Sequence, residues 1–174
     1  MSVTLVRMKD ASVEPATLPA GVKVVAGYIG GNTPHVWTVA EWDRFAGVKK
    51  LPVFVHEQGA SGTEEGWAAL KRLYQLLVPK GTLVVLDMET LVEPAAVLNF
   101  RALMNWGGYY CGTYGSADFI FGNPNCYGYW VADYDKKPQL FPHHGVFATQ
   151  YAPGTDWDSS VLSSVTYRTR LKAW

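Results

Sequence analysis

The chain has 174 residues, 48% of them hydrophobic, and its 15 Lys plus Arg balance 15 Asp plus Glu. That length and apolar content indicate a single domain spanning residues 1–174 and exclude a disordered chain. Zero net charge supplies no general attraction to nucleic acid or an anionic membrane, and no apolar run approaches the roughly 20 residues that a membrane-spanning helix needs.

Val3–Lys9 reads as a first strand ending at Asp10, and Val22–Tyr28 as a second, closed by the loop signal Gly30-Gly31-Asn32. Thr38 with Glu41 forms a capping box, which predicts a helix carrying Trp42 and Phe45. Leu51–Val55 is the third strand. Ser61 with Glu64 suggests a second capping box, before a helix patterned by Trp67, Leu70, Leu73, Tyr74 and Leu77 and stopped by Pro79 and Gly81. Thr82–Met88 is the fourth and most apolar strand. A helix opens at Pro94, then Gly107–Thr113 reads as a strand and Gly115–Phe121 as a short helix. Tyr127–Asp133, Val146–Tyr151 and a piece near Val165–Leu171 read as further strands joined mainly by loops. Continuous apolar strands alternating with helices predict a parallel sheet covered on both faces. About eight strands make this an α/β fold of the TIM-like barrel kind, with reduced helices in the C-terminal third; an open doubly wound sheet is the alternative.

In such a barrel the site lies at the carboxyl ends of the strands. There the chain places Asp10, Tyr28, His56 with Glu57, Asp87 with Glu89, Tyr114, Asp133 with Tyr134, and Gln150 with Tyr151, and Asp158 follows in a loop. Asp87 and Glu89 are two apart, so on one strand they share a side. Neighbouring carboxyls resist double ionisation, which raises one pKa, and a protonated acid beside an ionised one suits glycoside hydrolysis. An acidic pair that fixes loop amides or holds a metal fits the residues equally well.

Other constellations are missing. There is no G-x-S-x-G elbow, phosphate loop or dinucleotide fingerprint, so no cofactor is expected. A metal centre from His56, Asp87, Glu89 and Asp158 has no ligand-spacing motif behind it. Cys111 and Cys126 read as buried thiols or as a single bridge. Seven Trp and ten Tyr fit either a heavily packed core or a surface on which sugar faces stack. The opening MSVTLVRMKD lacks the long apolar core of a signal peptide, so a protein acting outside the cell, on a virion or at the wall, would leave by another route.

Leu86-Asp87-Met88-Glu89 resembles the D-x-E motif of glycoside hydrolase family 25, the lysozyme-like N-acetylmuramidases. Lys9-Asp10-Ala11-Ser12 is similar to that family's opening Asp-x-Ser, though with Lys9 where a Gly-x-Asp form is usual. Tyr129-Trp130-Val131-Ala132 is similar to its Trp-x-Ala strand, and Thr149-Gln150-Tyr151 followed by Asp158 to its closing motif. Val25-Ala26-Gly27-Tyr28-Ile29-Gly30-Gly31 with Leu51-Pro52-Val53-Phe54-Val55 looks closer to a divergent, glycoside-hydrolase-like branch of actinobacteria and their phages. The resemblance implies an eight-stranded barrel that cleaves β-1,4 links of bacterial cell-wall glycan. It implies Glu89 as general acid beside Asp87, with Asp10 and Asp158 completing an acidic floor, and a reaction assisted by the substrate's own N-acetyl group. Substrate contacts are expected from Tyr28, His56, Tyr114, Trp130, Tyr134, Gln150 and Tyr151. The competing expectation is a non-catalytic glycan-binding or phage-tail module, with other phage structural proteins as partners.

Overall fold

Eight strands close into a barrel whose spatial order is the chain order, β1 through β8. The computed structural model describes residues 4–11, 17–90, 92–122 and 127–174. The strands are β1 (Leu5–Ala11), β2 (Val24–Gly31), β3 (Lys49–Val55), β4 (Leu83–Asp87), β5 (Tyr110–Ser116), β6 (Tyr129–Ala132), β7 (Val146–Ala152) and β8 (Asp158–Ser163). The helices are α1 (Val39–Asp43), α2 (Thr63–Gln75), α3 (Pro94–Trp106), α4 (Ala117–Ile120) and α5 (Ser164–Arg170). This is the expected TIM-like α/β barrel, thin in helix late in the chain.

Alternation along the strands sorts the core into two shells. Met8, Val24, Ala26, Leu51, Val53, Leu83, Val85, Trp130, Ala148 and Leu162 pack together inside the barrel. Val25, Phe54, Val84, Leu86, Cys111 and Val131 belong to the outer shell under the helices. Both faces of β4 are therefore covered, and all five of its residues are buried. The aromatic excess goes largely to the outer shell: Trp37 lies 4.8 Å from Trp42 and 6.4 Å from Trp157 between ring centroids. Cys111 is buried; Cys126, and with it the question of a bridge, lies outside the described residues.

Strands β1 to β7 pair in parallel, but β8 is antiparallel to both β7 and β1. Residues 153–157 are too few for a crossover, so the chain turns straight back. The expectation that the last strand lies near Val165–Leu171 is thereby corrected. That stretch is α5, started by Ser163, whose side chain accepts from Val165 N at 3.3 Å. The last strand is Asp158–Ser163, so Asp158 opens a strand and does not sit in a loop. Strand β5 starts later than expected because α3 runs to Trp106 and Gly108 turns the chain at φ 85°.

The Thr38–Glu41 capping box is present: Thr38 N donates to Glu41 Oε2 at 2.6 Å, and Glu41 N to Thr38 Oγ1 at 3.3 Å. The Ser61–Glu64 box is not. Helix α2 is capped by Gly62 at φ 75°, where a Cβ would meet Ala96 O at 2.0 Å. Glu65 turns back instead of Glu64, and accepts from Glu57 N at 2.8 Å.

Candidate active site

The inward alternation that buries Met8, Ala26, Val85, Ala148 and Leu162 carries on to the rim, where it presents Asp10, Tyr28, Asp87, Gln150 and Ser160. Strand β8 runs backwards, so its first residue, Asp158, arrives at the same rim as the carboxyl ends of the parallel strands. It sits directly opposite Asp10 in the β1–β8 register.

Gln150 bridges these two acids. Its Nε2 donates to Asp158 Oδ2 at 2.8 Å and to Asp10 Oδ2 at 3.2 Å. Ser160 Oγ donates to Asp10 Oδ1 at 3.3 Å, and Gly154 N to Asp158 Oδ1 at 2.8 Å. Burial, and then the charge of Asp158, push the Asp10 carboxyl up to about 8. Asp10 therefore holds a proton near neutrality.

Asp87 is 1% exposed. Burial, and then the charge of Glu89, hold its carboxyl well above the ordinary carboxylate range. The Tyr28 hydroxyl donates to Asp87 Oδ2 at 3.4 Å, while Oδ1 is buried without a hydrogen-bond partner among the described residues. Strand β4 ends at Asp87, so Glu89 stands on the bend beyond it rather than on the strand. Met88 between them is fully buried, its N–H given to Tyr114 O at 2.9 Å. The pair is thus split: Asp87 is sealed in the floor and Glu89 is exposed on the rim. The two remain coupled, because the charge of Glu89 adds to burial in raising the Asp87 carboxyl.

Tyr114 gives its hydroxyl to Gln150 Oε1, and so does Tyr134, at 3.1 Å. Tyr134 is 54% exposed, a ring edge tethered at its hydroxyl and open to solvent. Beside Tyr114, in register with it on β6, lies Trp130, 2% exposed, with ring centroids 4.6 Å apart.

Three of the expected substrate contacts are buried in this structure. Trp130 belongs to the floor, 2% exposed. His56 gives its backbone N–H to Asp87 O at 2.9 Å, but its ring lies under α2, Nδ1 2.8 Å from Glu65 Oε2. The ring thus ties α2 to the barrel. Gln150 is 1% exposed and uses both amide protons and its oxygen within the floor. Tyr151 falls in the bulge between Gln150 and Ala152, half-buried, with its backbone oxygen accepting from Lys136 N at 3.0 Å. Sequence reasoning misses two polar residues. Ser160 is two past Asp158 and becomes visible once β8 is recognised; Glu65 is overshadowed by Glu64. Among the described residues no set of three His, Cys, Asp or Glu side chains converges in a metal-holding arrangement.

The rim thus combines an exposed carboxyl, two buried carboxyls pushed toward their neutral form, and an open phenol ring. It can deliver a proton to a bound ligand, present a polar carboxyl floor to it, and stack a sugar face.

No family model and no curated protein matches the chain. Solved structures do share its fold. An uncharacterized B. stearothermophilus protein superposes with a TM-score of 0.74 at 19% identity, over 96% of this chain and 100% of that one. A family 25 glycosyl hydrolase from Bacillus anthracis does so with a TM-score of 0.67 at 12% identity, over 95% of this chain and 93% of its own. The modular Cpl-1 endolysin, solved with a peptidoglycan analogue, gives 0.67 at 16% identity, over 93% of this chain and 55% of its own. The comparisons therefore show the fold, a TIM-like α/β barrel shared with these structures.

Proposed function

We propose that the protein hydrolyses β-1,4 glycosidic links in bacterial peptidoglycan, with Glu89 as general acid. The observation that carries this reading is the split acid pair, an exposed Glu89 electrostatically coupled to a buried Asp87 at a barrel rim. Glu89 gives its proton to the glycosidic oxygen as the bond from that oxygen to the anomeric carbon breaks. The substrate's N-acetyl oxygen bonds to the anomeric carbon, as the resemblance to family 25 implies, so no protein nucleophile is required. Water then attacks that carbon, returning its proton to Glu89 and releasing the acetamido group. Asp10, Asp87 and Asp158 line the polar floor, where Asp10 and Asp87, held toward their neutral form by burial, act through carboxyl dipoles and hydrogen bonds. Tyr134 offers its open ring to a sugar face.

Fold similarity to a family 25 hydrolase and to an endolysin that binds a peptidoglycan analogue supports the substrate class. Digested peptidoglycan reduced with borohydride and analysed by mass spectrometry tests the reading. New reducing ends on N-acetylmuramic acid are expected. Wall binding without new reducing ends would overturn it in favour of a glycan-binding or phage-tail module.

A further inference from the structure

We propose that Gln150 is a positioning residue that clamps the Asp10–Asp158 pair to the rim phenols Tyr114 and Tyr134. The clamp's geometry stands by itself; its kinetic consequence rests on the hydrolysis reading above.

A primary amide has two protons and two acceptor lone pairs. At Gln150 all four are committed: Oε1 accepts from Tyr114 and Tyr134, and Nε2 donates to Asp10 and Asp158. The two hydroxyls fix the amide's orientation, since Oε1 turned toward the acids would face carboxyl oxygens. One buried group therefore ties β1, β5, β7, β8 and the segment after β6 into a single unit. It has no capacity left for substrate and acts only through its neighbours. The exposed Tyr134 ring and the acidic floor are thereby held in one fixed relation.

Two substitutions in the full chain separate this role from space-filling. Gln150→Met keeps length and removes every hydrogen bond. Gln150→Glu keeps the shape and, when protonated, one donor. The ionisable groups facing position 150 are Asp10 from β1, Asp158 from β8, Tyr114 from β5 and Tyr134 after β6, with Tyr28 and Asp87 coupled to Asp10 further round. As one of three neighbouring carboxyls, the introduced glutamate keeps its proton to well above the usual range. We expect kcat on peptidoglycan to fall roughly 10- to 100-fold in Gln150→Met at every pH, with KM changed less than about threefold. Gln150→Glu should recover activity in acid and lose it as the pH rises, and its melting temperature should drop more between pH 5 and 8 than that of Gln150→Met. Identical pH profiles of the two variants in both activity and melting would overturn the clamp. If the wild type releases no reducing ends but the melting profiles diverge as described, the hydrolysis reading fails and the clamp stands. The wild type alone gives a second measurement: the Gln150 side-chain amide protons should exchange slowly by NMR, and rapid exchange would overturn the proposal even if neither variant folds.

Discussion

Replacing Asp10 by asparagine should stabilise the protein above neutral pH. Burial and Asp158 raise the Asp10 carboxyl from 3.8 to about 8. The native state then keeps a proton that the unfolded chain releases. Stability from this group is complete below the unfolded value and is lost as the pH rises toward the folded value. A tenfold change in proton affinity is worth about 1.4 kcal/mol, so the rise from 3.8 to about 8 sets a ceiling of about 6 kcal/mol. Part of it belongs to the Asp158 partner and would be redistributed, which leaves an expected gain of about 2–4 kcal/mol at pH 8. Asparagine mimics the protonated acid: its oxygen can accept from Gln150 Nε2, and its NH2 can donate to Ser160 Oγ, the two existing partners. Urea unfolding at pH 4 and pH 8 measures the effect. The two proteins should be nearly equal at pH 4 and diverge at pH 8 in favour of Asp10→Asn. Asp87 contributes a fall of the same sign in both. Parallel curves, or a less stable variant at pH 8, would refute the reasoning.

Glu65→Ala strands the buried His56 Nδ1 and the Glu57 N–H, so calorimetry should show a loss of about 2–4 kcal/mol. Gly62→Ala combines φ 75° with a 2.0 Å clash against Ala96 O and should cost at least about 2 kcal/mol in chemical denaturation. Tyr134→Ala should raise KM for peptidoglycan severalfold and lower the melting temperature by about 2–4 °C, because the ring is 54% exposed but its hydroxyl donates to the buried Gln150. An unchanged KM would remove Tyr134 from the substrate groove.

The centre of the fold is legible in the sequence because burial on both faces leaves a plain mark. Val84-Val85-Leu86 is continuously apolar, and the acid ending that run is necessarily at a strand end. Asp10 is readable by alternation instead, since Val6 and Met8 precede it at two-residue spacing on the inward face of β1. Strand β8 is not, because Asp158 and Ser160 put small polar residues into a polar floor rather than an apolar core. The following Val165, Tyr167 and Leu171 alternate like a strand while lying in and just beyond α5. The order of motifs nonetheless points to Asp158, although the reason it reaches the rim, a reversed final strand, exists only in three dimensions. The roles of His56, Trp130 and Gln150 escape sequence reasoning for one shared cause. Position at a strand end tells where a residue is along the strand, not how deep it sits or whether its polar atoms are already engaged. Glu89 is the opposite case: the sequence suggests a place on the strand, and the bend after Asp87 is what exposes it.

Turnover of peptidoglycan by the wild type and by Glu89→Gln tests the central claim most directly. The substituted amide keeps the shape of the side chain and cannot deliver a proton, and its position on the exposed rim leaves the folded state undisturbed. The account expects release of reducing ends to fall by roughly 10²–10⁴-fold with the melting temperature unchanged. Equal release by the two proteins would contradict it.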